Sequence, residues 1–340
     1  MIETDNLLIL MHSTPWQACP LRLPCRPMMR KLLTVLISLI TGGVLLAVFL
    51  VWAEQRPSAH YLSDLRSQLL GDPPAHTAHG NLLIIRPELF PLDYQSPEHL
   101  RLKLVAALDN AGNAGLLGPR TLVVLPEHIG TWLLAVGEKP EFYRARTRQQ
   151  VRNWLLLGNP VLVLEVLLRN LDADRLDEAL LRMKAERMAS DYQLLFANLA
   201  RDHGVTVLAG SILLPEPHIE NGLLKSGDGP LRTISLVFSP DGRISGEPYL
   251  EEWPWESRTT DVQDVVVAGL HYRVERDWQP GWPQSQVQLP DGRSSPPLFL
   301  RGQLSWPIGG APRSVKLTPE QAPQASQAPG SHVLNQWVRP

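Results

Sequence analysis

The pattern of apolar and polar positions divides the chain into three parts. Leu32 to Ala53 reads LLTVLISLITGGVLLAVFLVWA, 22 residues without a charge. At ~1.5 Å per residue this run is long enough to cross a hydrocarbon core of ~30 Å, and it has no polar face of the kind a soluble core helix shows. It predicts a single transmembrane helix. Beyond it the period changes. Asn81 to Pro87 (NLLIIRP) and Thr121 to Leu125 (TLVVL) are short continuous apolar runs, as expected of buried strands, and Pro97 to Gly112 between them has helical spacing. Asp177 to Asp202 repeats the helical spacing, and Val205 to Ala209 and Ile234 to Phe238 read as further strands. Strands separated by helices predict a layered α/β domain with helices packed on its sheet.

Elsewhere the pattern is less regular. Glu247 to Pro297 is crowded with Trp253, Trp255, Trp278, Trp282 and prolines, and only Val265 to Val274 reads as a strand. Asn153 to Leu168 (NWLLLGNPVLVLEVLL) is apolar on every side. It fits a buried helix pair broken at Gly158-Asn159-Pro160, or a segment lying against a membrane with Lys139, Arg144, Arg146, Arg148 and Arg152 near headgroups. Thr318 to Ser331 is rich in Pro, Gln and Ala and predicts a flexible tail. The expected plan is a short cytoplasmic segment over 1–31, the membrane helix over 32–53, a linker over 54–80, the domain over 81–317 and the tail over 318–340. Within the first segment, 1–27 reads as an over-extended start, because Met28 and Met29 directly precede Arg30-Lys31.

Composition and charge narrow the choices. With 44% apolar residues, 340 residues can bury one sizeable core. A net charge of -2 offers no broad basic field, so nucleic acid is not an expected partner. Arg22, Arg26, Arg30 and Lys31 precede the apolar run, whereas Glu54, Arg56 and Asp64 follow it. The positive-inside bias therefore puts the N-terminus in the cytoplasm and the domain on the non-cytoplasmic, periplasmic-type side. A cleaved signal peptide ending at Val51-Trp52-Ala53 is the alternative. Both cysteines, Cys19 and Cys25, precede the helix, so no disulfide is implied for the domain. No metal-ligand spacing and no phosphate-binding loop occurs, and neither metal nor cofactor is expected. The oligomeric state, including a homo-oligomer, stays open.

Four segments carry a resemblance. TLVVLPEHIGTW (Thr121 to Trp132), HGVTVLAGSILLPEP (His203 to Pro217), LRTISLVFSPDGRISG (Leu231 to Gly246) and PLFLRGQLSWPIGG (Pro297 to Gly310) resemble, in order and spacing, parts of the nitrilase, or carbon-nitrogen hydrolase, superfamily. The resemblance implies an α-β-β-α sandwich and a small amide- or nitrile-like substrate. It also implies a Cys nucleophile, a Glu general base and a Lys that stabilises the tetrahedral intermediate. Glu127 matches the position of the base. The Lys should follow the turn at Ser239 to Gly242, but the chain reads GEPYLEEWPWES there, with Tyr249, Glu251 and Glu252. A carboxylate would repel a developing oxyanion, so Glu251 and Glu252 read as a solvated loop. No cysteine follows Cys25.

The chain thus reads as a membrane-anchored member of this family by descent, catalytically impaired. The alternatives are a non-catalytic binding or scaffold protein, or an enzyme using another nucleophile. Ser211 lacks the G-x-S-x-G elbow and reads as a loop serine capping a helix or turn, and His128 as a loop residue that is solvated or joins a proton network. The stretch 247–297 is degenerate, either through loss of the catalytic strands or through a frame-shifted reading. Either way the sheet's inner face needs a new cover, for which Val265 to Val274 and the segment after Pro297 are the candidates.

Overall fold

The computed structural model describes residues 26–56, 61–72, 79–161, 163–164, 176–252, 261–279, 282–302 and 329–339. The first 25 residues of the proposed over-extended start, Trp253, Trp255 and the low-complexity stretch up to 328 lie outside these. The chain divides into two compact units, Met1–Trp52 and Ala53–Pro340.

The first unit contains α1, Arg26–Glu54, except for its last two residues. It is long and apolar enough to cross a membrane, or to act as a signal sequence. Its polar Thr34 is satisfied within the helix, where the hydroxyl donates to the Arg30 carbonyl at 2.8 Å.

In chain order the second unit continues with β1 (Ser67–Gly71), β2 (Asn81–Arg86), β3 (Glu88–Leu89), α2 (Pro97–Asn113), β4 (Thr121–Val124), α3 (Pro140–Tyr143), α4 (Arg148–Gly158) and α5 (Leu176–His203). There follow β5 (Thr206–Leu208), β6 (Ile212–Pro215), β7 (His218–Glu220), β8 (Leu223–Lys225), β9 (Leu231–Phe238), β10 (Ile244–Glu252), β11 (Asp261–Val267), β12 (Leu270–Gln279), β13 (Trp282–Gln288), β14 (Arg301–Gly302) and β15 (Ser331–Trp337). The main sheet has the order β1-β15-β2-β4-β5-β9-β10, with β6 also paired to β9. As expected, β2, α2 and β4 form a βαβ unit, with β2 and β4 parallel and Leu83 opposite Val123. Ser96 caps α2, its hydroxyl accepting from the His99 amide, and Pro97 occupies the first helical turn where a missing N–H costs nothing.

Alternation along the strands gives the sheet two apolar faces. Leu83, Ile85, Val123, Val207, Leu236 and Phe238 pack with α2 and α5. Leu82, Ile84, Leu122, Val124, Leu208 and Val237 pack with Val265, Val267, Tyr272, Val274 and Val287 of a second sheet. That second sheet is the antiparallel meander β11-β12-β13. The described layers are therefore helix, sheet and sheet, in a mixed α/β domain.

Three expectations change. Val265 to Val274 is not one strand, because Ala268 and Gly269 turn it into a hairpin in which Val267 faces Leu270. Both turn residues have positive φ, 48° and 82°, the geometry that matches the twist of paired strands. The degenerate stretch thus supplies the end of β10 and all of β11, β12 and β13, and the last three cover the face that would otherwise be bare. The tail is not flexible throughout, since β15 lies between β1 and β2 with Val333 buried. Nor is the linker a free spacer, since β1 pairs with β15 and both Tyr61 and Ser63 donate to Asp93. Asp93 is buried against Lys103 at 2.9 Å, and these hydroxyls together with the Phe90 amide at 2.7 Å fill the remaining acceptor sites of its carboxylate.

Candidate functional site

The site forms where the chain leaves β4. Parallel strands expose functional groups at their C-terminal ends, and the loop Leu125 to Thr131 is fixed there from several sides. Leu125 N donates to Leu208 O at 3.1 Å, His128 N to Ser211 Oγ at 2.8 Å, Gly130 N to Ser211 O at 3.1 Å, and Leu213 N to Thr131 Oγ1 at 3.0 Å. The phenols of Tyr94 and Tyr192 donate to Ile129 O and Gly210 O at 2.9 and 2.7 Å. Gly210 must be glycine, because a Cβ there would stand 1.7 Å from Pro126 O. The loop is rigid because its backbone groups are answered by the β5–β6 connection.

Glu127 is buried in this loop, and its Oε1 accepts from Arg276 Nε at 3.0 Å. Arg276 comes from β12 of the second sheet. Its Nη2 donates to Gln263 Oε1 on β11 at 2.8 Å, and its guanidinium lies 3.8 Å from the centre of the Tyr249 ring on β10. Arg276 Nη1 and Gln263 Nε2 are buried and have no partner among the described residues. The site thus holds a carboxylate, a guanidinium, an amide and a phenol ring, drawn from both sheets.

His128, expected as a loop residue, is fully buried with φ 59°, and its Nδ1 pairs with Thr131 Oγ1 at 2.9 Å. Burial pulls its pKa down to about 4, against the pull of the neighbouring Glu127 charge. At neutral pH the ring is uncharged. Ser211 is buried, and its hydroxyl accepts from the His128 amide within the turn after β4, as the expected capping residue of a turn does. Glu251 and Glu252 lie on β10 rather than in a loop. Tyr249 donates to Glu251 at 3.0 Å, and Glu252 meets Arg232 at 3.4 Å near the surface. The sheet reaches this far because β10 keeps pairing with β9 past an irregularity between Ser245 and Tyr249.

Arg276 and Gln263 were not among the expected site residues. The available signal was the alternation V-Q-D-V-V-V before Ala-Gly, which puts Gln263 on the inward face with Val265 and Val267. Among the described residues no cluster of three or more His, Cys, Asp or Glu could hold a metal ion. No family model matches the chain, and neither does any curated protein or solved structure.

Proposed function

We propose that the chain is a membrane-anchored carbon-nitrogen hydrolase by descent that no longer hydrolyses. Four motif segments support the descent, and so does Glu127 at the end of a buried parallel strand. On this reading the helix, sheet and sheet layers are part of an α-β-β-α sandwich. The observation that carries the loss of activity is the Glu127 to Arg276 ion pair. A general base must have a lone pair within reach of the proton it removes. Here one carboxylate oxygen is engaged by a buried guanidinium, and no thiol follows Cys25 to be deprotonated.

A second reading, binding without turnover, is favoured by Arg276 Nη1 and Gln263 Nε2. A carboxamide or nitrile group could accept from these donors while its substituents rest on apolar side chains. The deciding experiment incubates the purified full chain with a panel of short amides and nitriles, measuring ammonia release and the melting temperature together. The expected result is no turnover, and a ligand-dependent rise in melting temperature would select the binding reading. Turnover that disappears in Glu127→Gln would overturn the loss of activity.

A further inference from the structure

The end of α4 leaves apolar side chains in water. Leu157 is 44% exposed, and beyond the break at Asn159-Pro160, where 160–161 and 163–164 are helical again, Val161 is 64% and Leu164 57% exposed. Single surface aliphatics are ordinary, but these three fall within one short stretch and follow the partly exposed Trp154.

What covers them follows from where the chain enters the domain. Lys139 Nζ donates to Gln55 O at 2.9 Å, and Arg56 donates to Gly158 O and to Asn159 Oδ1. Asn159 in turn donates to both carboxylate oxygens of Glu138 at 3.1 Å, and Lys184 of α5 closes on the same carboxylate. Gly158 leaves room for this joint, since a Cβ there would crowd Arg56 Nη1 at 3.0 Å and Glu138 at 3.2 Å. The apolar helix ends at Glu54, so the next two residues are fastened to the break that displays the patch. Two residues reach only ~7 Å, about the thickness of the headgroup region on one side of a bilayer. Exposed Arg144 and Arg146 lie just before α4.

We propose that Leu157, Val161 and Leu164 dip into the interfacial zone of the bilayer that α1 enters, with Arg144 and Arg146 at anionic lipid headgroups. The proposal rests on the anchor reading of α1.

The test uses the full chain with Cys19→Ser and Cys25→Ser, carrying Val161→Cys labelled with an environment-sensitive fluorophore, in vesicles of phosphatidylcholine and phosphatidylglycerol. The same label at Leu194→Cys, on an exposed position of α5, is the control. Lipids brominated on the acyl chain should quench the label at 161 at least about twofold more than at 194, and aqueous iodide should show the reverse order. Equal iodide quenching at the two positions, in protein that stays in the vesicles after an alkaline carbonate wash, would overturn this proposal and leave the anchor standing. Protein washed off by carbonate would overturn both. Protection from iodide that grows with protein concentration, without quenching by brominated lipid, would show a second copy on the patch and overturn the lipid assignment.

Discussion

Two buried side chains give the site its energetic character. Removing the cation from a buried ion pair leaves an uncompensated charge, which costs ~3–5 kcal/mol, whereas removing both partners can be nearly neutral. Arg276→Met should therefore lower unfolding stability by about that amount, and Glu127→Gln in the same chain should restore most of it; urea melts of the two singles and the double measure the coupling. Additive losses would show that the two groups do not act as a pair. His128 makes a pH prediction. Its folded pKa of about 4 lies below the ordinary histidine value of 6.5, so the unfolded chain takes up a proton that the folded chain resists. The resulting stability is full above about pH 6.5 and is lost as pH falls toward 4, on the order of 3 kcal/mol for a shift of this size. His128→Asn keeps a residue that tolerates positive φ, and it should flatten the fall in stability between pH 7 and 4.5. An unchanged pH slope would mean that another group is responsible.

At the scale of elements, β15 shows how a late segment can complete an early core. Val333 packs on one face of the main sheet and Leu334 on the other, while the strand's backbone bonds β1 on one side and β2 on the other. Losing these two side chains alone forfeits roughly 4 kcal/mol of apolar burial, against a net stability of ~5–15 kcal/mol, and β1 loses its only partner strand among the described elements as well. A chain ending at Gly330 should be degraded by a protease within minutes under conditions where the full chain persists, as followed on a gel; equal persistence would show that the strand is dispensable. The same element marks the limit of what the sequence discloses. NLLIIR and TLVV carry the unbroken apolar runs LLII and LVV, and the helices between and after them keep a clear period, so the βαβ unit and Glu127 at its end could be read directly. Ser331–Trp337 carries His332, Asn335 and Gln336 on a short run after a low-complexity stretch, and composition masks it. Its polar residues are tolerated because they find partners, as when Asn81 donates to Asn335 Oδ1 at 2.7 Å. The hairpin of β11 and β12 was hidden for a different reason: its turn is Ala-Gly rather than Asn-Gly, so the valines on either side look continuous. Arg276 on that hairpin became visible as Glu127's partner only once two distant strands were brought together, which local pattern does not report.

For the whole molecule the question is on which side of a membrane the domain works. The apolar helix carries Arg30 and Lys31 at one end and Glu54 at the other, with Arg22 and Arg26 adding to the first side. Basic residues resist transfer across the membrane more than acidic ones do, so the expectation is that the end with four cations stays in the cytoplasm and the domain is exported. The domain's chemistry agrees with export, because it holds no cysteine that an oxidising compartment could pair wrongly. An enzyme reporter that is active only outside the cytoplasm, fused after Pro340, should therefore be active. A reporter that requires the cytoplasm should be silent at the same place. Replacing Arg22, Arg26, Arg30 and Lys31 with glutamine removes the bias without shortening the apolar run, so it should lower the exported signal while leaving the protein in the membrane fraction. Cytoplasmic activity of the unmodified fusion would reverse the orientation. A soluble, exported fusion shortened by the first fifty or so residues would show instead that α1 is removed as a signal, and that the domain reaches its compartment without an anchor.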